Sequence, residues 1–121
     1  MTEPMKKAAL FLCSAVGIGI VSCSGAPGSP ADACNEAMAT ICAKIYSCVD
    51  AQTIKTTLGY TSQGDCQVKL QAQANCVNQT CPQGRTYNSA NAQTCINDIN
   101  AEACNQASST PPSCASTAIC Q

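Results

Sequence analysis

Between residues 30 and 50, apolar side chains recur at steps of three and four: Cys34, Met38, Ile41, Cys42, Ile45, Cys48 and Val49. That spacing draws one stripe along an α-helix, with Lys44 off the stripe. Ser29-Pro30-Ala31-Asp32, just ahead, reads as a capping box with proline at the first helical position. A second stripe, Cys66, Leu70, Ala74 and Val77, follows Ser62-Gln63-Gly64-Asp65, again a serine with an acid three residues on. Cys76 sits beside that face, and Pro82-Gln83-Gly84 marks a break. A third stripe, Ala92, Cys95, Ile96, Ile99 and Ala103, is expected to start from a cap at Asn88 or Ser89, with Tyr87 as the staple residue before it. A short last turn should run from about Pro112 to Ile119, tied down by Cys114 and Cys120. No segment alternates with period two, so the expected class is all-α: a small disulfide-rich domain of three to four helices.

Upstream the pattern is different. Lys6-Lys7 closes a short positive stretch, and Ala8 to Val21 is 14 residues without a charge. A membrane-spanning helix needs about 20 apolar residues, so this run has the length of a signal-peptide core. Ile20-Val21-Ser22-Cys23 resembles the lipobox of bacterial lipoproteins. The resemblance implies diacylglycerol transfer to the Cys23 thiol, cleavage before Cys23, and acylation of the new amino group by a palmitate-type chain. Cys13 does not compete, because Leu10-Phe11-Leu12 places a bulky residue where a small one is required. The simpler alternative is an ordinary secretory signal, but cleavage after Ala26 would leave Pro27 directly behind the cut. Residues 1–22 are therefore read as a lipoprotein signal peptide. Residues 23–31, rich in Gly, Pro and Ser, are read as a lipidated tether. Residues 32–121 form the cysteine-rich helical domain. Ser24, rather than aspartate, follows the lipidated cysteine, which by the same resemblance favours the outer membrane.

Composition sharpens this. The chain has 121 residues, 12 of them cysteine, with no histidine, no tryptophan and a net charge of −1. The lack of histidine removes Ser-His-Asp and Cys-His nucleophile systems and histidine-containing zinc sites. The charge removes the basic surface that binds nucleic acid. Setting aside Cys13 with the signal and Cys23 with the lipid leaves Cys34, Cys42, Cys48, Cys66, Cys76, Cys81, Cys95, Cys104, Cys114 and Cys120. The number is even, so all ten can pair. Large aliphatic residues are few, and disulfides at about 2–4 kcal/mol each are the expected supplement, formed in an oxidising compartment. Connectivity stays open, although Cys34 with Cys42, Cys66 with Cys76, and Cys95 with Cys104 lie too far apart along one helix to bond. Cys48 with Cys66 and Cys42 with Cys76 are the expected links between the first two helices.

No pair of cysteines has C-x-C or C-x-x-C spacing, so thioredoxin-like exchange and zinc-ribbon coordination lack their motif. Asp32 with Glu36 and Asp98 with Glu102 lie one helical turn apart. Such a pair can form an acid site or a weak cation site; the ordinary reading is helix-start charge and a solvated face. Tyr46, Tyr60 and Tyr87 read as partial core and staple residues rather than a recognition patch. Asn78-Gln79-Thr80 matches a glycosylation sequon, a coincidence in a bacterial lipoprotein of the kind the lipobox resembles.

The framework as a whole has a lipobox at Cys23, a tether, Cys34-x7-Cys42-x5-Cys48, Gly59-Tyr60-x5-Cys66-x9-Cys76, and a cysteine-ended tail after Tyr87, Cys95 and Cys104. It resembles small cysteine-rich predicted lipoproteins common in myxobacteria. The resemblance implies a helical, disulfide-linked, surface-anchored protein and carries no established activity. The expected function is a non-enzymatic envelope lipoprotein, held to the membrane by its lipid and either binding an envelope protein or glycan or serving as a structural surface module. No catalytic, cofactor-binding or metal residue is expected. The alternative is a carrier for a small apolar ligand, as in plant lipid-transfer proteins and oomycete elicitins, although the adjacent Cys-Cys and Cys-x-Cys of the former are missing.

Overall fold

In the computed structural model, which describes residues 26–106 and 110–121, the three longer helices each start where a side chain takes up an orphan backbone N–H. Helix α1 spans Pro30–Cys48, α2 Gln63–Gln73, α3 Ser89–Ala101 and α4 Ser116–Ile119. Ser29 Oγ accepts from the Asp32 N–H at 3.1 Å, Ser62 Oγ from the Asp65 N–H at 3.0 Å, and Asn88 Oδ1 from the Asn91 N–H at 2.9 Å. The Asp65 carboxylate accepts in turn from the Thr61 N–H and pairs with Lys69 at 2.9 Å. The expected all-α, disulfide-rich domain is the one formed: among the described residues there is no strand, only an isolated antiparallel bridge between Tyr87 and Cys120. No described helix is long and apolar enough to cross a membrane.

Helix α1 is central, with α2 against one side and α3 against the other. Its buried arc is therefore wider than one stripe and takes in Ala33, Glu36 and Ala37 as well as Ile41, Cys42 and Ile45. Small residues let the helices approach closely, and Ala92 of α3 is likewise buried. Ile41 and Ile45 meet Ile99 and Cys95 of α3 in the core, with Met38, Tyr46, Tyr60 and Leu70 packed around them. Lys44, off the stripe, reaches across to donate to the Asn100 and Glu102 carbonyls, capping the end of α3.

Three details depart from the periodic reading. Residues after α1 fold into a helical segment, Ala51–Thr53 continuing as a π-turn through Ile54–Leu58. Asp50 caps it through the Thr53 N–H, and Ile54 is fully buried. Helix α2 stops at Gln73, and Asn75 takes the left-handed conformation (φ 53°), which asparagine tolerates better than most residues. That reversal shifts the helical phase, so Cys76 points inward and Val77 is 82% exposed. Ala103, expected on the third stripe, is exposed beyond the end of α3.

All ten cysteines from Cys34 to Cys120 are paired, but not as expected between the first two helices. Cys42 bonds Cys66 and Cys34 bonds Cys76, with Cα separations of 5.9 and 5.2 Å. Cys48 bonds Cys104 at 5.4 Å, Cys81 bonds Cys120 at 5.5 Å, and Cys95 bonds Cys114 at 4.7 Å. Antiparallel register explains the change. Because the Ala51–Leu58 segment separates the helices, Cys66 near the start of α2 lies opposite Cys42, not Cys48. Six residues place Cys48 about 9 Å further along α1, past the α2 contact and beside the end of α3.

Ile54→Ala is expected to cost about 2–5 kcal/mol in denaturant unfolding, as for a buried aliphatic side chain. Val77→Ala should stay within about 0.5 kcal/mol of wild type. Equal losses at the two sites would contradict this placement of the inner faces.

Candidate functional site

Two of the clefts beside α1 differ in chemistry because the helices next to them carry different side chains. The first lies between α1, α3 and the C-terminal turns. Its volume is about 260 Å³, and Ala37, Ile41, Cys95 and Ile99 make its floor. The second lies between α1, α2 and the segment leading into α1, with a volume of about 370 Å³. Asp32, Asn35 and Glu36 face Gln67 and Gln71 across it, and Pro27 and Ala39 add apolar wall.

Glu36 is the unusual residue of this polar cleft. It is 6% exposed, and its Oε1 has no hydrogen-bond partner among the described residues. Desolvation by burial pushes its carboxyl above the usual carboxylate range, and the negative charge of Asp32 one turn earlier adds to the rise. Tyr87 comes near from the segment before α3. Its hydroxyl donates to the Pro27 carbonyl, pinning the entry segment to the domain. Burial pushes that hydroxyl up, with Glu36 and Asp32 contributing. Among the described residues, no lysine or arginine lines the cleft. Lys44 caps α3, Lys69 pairs with Asp65 and donates to the Gly59 carbonyl, and Arg85 reaches the Cys120 carbonyl.

The acid pairs therefore separate. Asp98 is exposed and accepts from Ser113 Oγ at 2.6 Å, a tie between α3 and the tail. Glu102 flanks the end of α3, where its backbone N–H meets the Ile99 carbonyl. Asp32 is exposed at the start of α1, as expected for helix-start charge. Glu36 departs from the solvated-face reading. A sequence signal existed, since position 36 lies three residues from Ala33 and five from Ile41, on the arc that a helix flanked on two sides buries. Tyr46 and Tyr60 pack against the core, and the Lys69 ammonium stands 5.9 Å from the Tyr60 ring centre. No group of three or more Cys, Asp or Glu able to hold a metal ion occurs among the described residues. The lipobox and Cys23 lie outside the described residues, as does the whole 1–22 segment. Of the expected tether, Ala26–Ala31 is described: Pro27 is buried, and α1 already begins at Pro30.

No protein-family model, curated protein or solved structure matches this chain.

A raised carboxyl pKa in the folded state gives stability that is complete below the unfolded value and is lost as pH rises through the folded value. Glu36 thus weakens the fold on the way from about pH 4 toward neutrality. Asp50, held low by the hydrogen bonds from Thr53, and Asp65, held low by Lys69 and the Thr61 N–H, act oppositely. Their contribution is present above the unfolded value and lost as pH falls through the folded one. Asp32 on its own helix and Tyr87 opposite are the titratable groups facing Glu36, and the α2 wall is neutral. Glu36→Gln should therefore flatten the decline of Tm between about pH 4 and 7 and match or exceed wild type at pH 7. A lower Tm for Glu36→Gln at pH 7 would contradict the account.

Proposed function

We propose that this chain is an exported, non-enzymatic envelope lipoprotein, anchored through lipid on Cys23 and presenting its helical domain as a binding or structural module. The observation that carries the reading is cysteine accounting. Five disulfides use every cysteine from Cys34 to Cys120. Cys23 at the end of the lipobox therefore has no thiol partner left in the domain, and acylation is the fate its flanking residues match. Two or three acyl chains on one residue exceed the single chain that binds membranes only marginally. Five disulfides are also what an oxidising compartment outside the cytoplasm supplies. By the same resemblance, the outer membrane is the proposed destination.

A second reading, a carrier of a small apolar ligand, is favoured by the cleft floored by Ile41 and Ile99. At about 260 Å³ it falls just below the roughly 300–1,000 Å³ of ordinary small-molecule pockets, so it suits one slender apolar chain.

Mass spectrometry of protein isolated from the envelope fraction tests both. The lead reading predicts a chain beginning at Cys23 with covalent acyl groups, and loss of membrane association in Cys23→Ala. An unacylated chain beginning at Pro27 would overturn it. A lipid that stays bound under native conditions and leaves on denaturation would favour the carrier.

A further inference from the structure

A buried carboxylate without a partner is costly, because the interior solvates charge poorly and nothing repays the lost hydration. In the cleft between α1 and α2, Glu36 Oε1 is buried with no hydrogen-bond partner among the described residues, and Asp32 adds a second negative charge at the rim. The remaining polar lining, Asn35, Gln67 and Gln71, is made of neutral amides able both to donate and to accept. We propose that this cleft is a binding site for a lysine side chain of a protein or peptide partner, whose ammonium pairs with Glu36 and Asp32.

The geometry selects among cations. A calcium ion takes six to eight oxygens at about 2.3–2.6 Å, whereas this cleft encloses about 370 Å³ and brings two carboxylates to bear among the described residues. Among the described residues no aromatic side chain lines the cleft, so they form no aromatic cage for a quaternary ammonium. The charge lies deep, with Glu36 6% exposed, so it is reached by an ammonium at the end of a slender stem. An amino sugar carries its ammonium directly on a wide ring and reaches less far. Pro27 and Ala39 offer apolar wall to the methylenes of a lysine stem, and the amides of Asn35, Gln67 and Gln71 suit the peptide groups beside it.

This inference rests on reading the domain as a binding module and does not depend on the lipid anchor, so acylation and lysine binding fail or succeed separately. The test is calorimetric and NMR titration of envelope-purified protein with Nα-acetyl-lysine methylamide, alongside its norleucine analogue, glucosamine and calcium chloride. Saturable binding of the lysine derivative is expected, with shifts at the side-chain amides of Gln67 and Gln71 and none from norleucine. Glu36→Gln should weaken binding about tenfold or more, as for loss of a charged hydrogen-bond partner, while Asp98→Asn leaves it unchanged. Should Glu36→Gln not fold, Asp32→Asn and a titration toward acid, which protonates Glu36, give the same readout. The proposal is overturned if no amine binds saturably, if glucosamine or calcium binds in preference to the lysine derivative, or if binding survives Glu36→Gln intact.

Discussion

The structure depends on the antiparallel clamp that holds α1 against α2 and the turn that follows it, made by two disulfide rungs. Cys42–Cys66 and Cys34–Cys76 are nested: moving eight residues toward the start of α1 meets a partner ten residues later in the chain. The rungs hold the backbones at Cα separations of 5.9 and 5.2 Å. A second nested pair, Cys81–Cys120 and Cys95–Cys114, fastens the C-terminal turns onto α3 and the loop before it. Cys48–Cys104 then joins the two ladders, next to the place where Lys44 caps α3. In the chain-entropy view, loops of 19 to 56 residues yield about 3–4 kcal/mol each, without strict additivity.

That clamp explains how α2 can be so poorly amphipathic. Cys66 is its single buried residue, Leu70 is half-buried, and Val68 lies 66% exposed. A helix held by rungs need not be held by apolar packing. The space between the rungs is free to carry Asn35 and Glu36 on one side and Gln67 and Gln71 on the other. The polar cleft is thus a consequence of covalent fastening: the disulfides supply the proximity, and the sequence between them is released from core duty. On the other side of α1, where α3 is held mainly by packing, the lining is apolar.

Much of the architecture was legible from local signals. Ser29, Ser62 and Asn88 are short-range devices, and each caps the helix that its spacing announced. The apolar steps of α1 and α3 located Ile41, Ile45, Ile96 and Ile99 because helical periodicity is a local property. What was not legible depended on tertiary register or on a phase change. The Ala51–Leu58 segment contributes one core residue, Ile54, which is too little for a periodic signature. Its presence slides α2 relative to α1 and so moves Cys66 from Cys48 to Cys42. Asn75 resets the phase at the end of α2, which no count of threes and fours anticipates. Glu36 looked like a solvated acid because a one-sided helix would expose it; α1 is packed on two sides, and only the assembled domain shows it.

Non-reducing proteolysis followed by mass mapping of cross-linked peptides tests the clamp most directly. The account predicts Cys42 joined to Cys66 and Cys48 joined to Cys104, with Cys34–Cys76 as the second rung. Recovery of Cys48 joined to Cys66 would contradict the register, and with it the cleft that places Glu36 opposite Gln67 and Gln71.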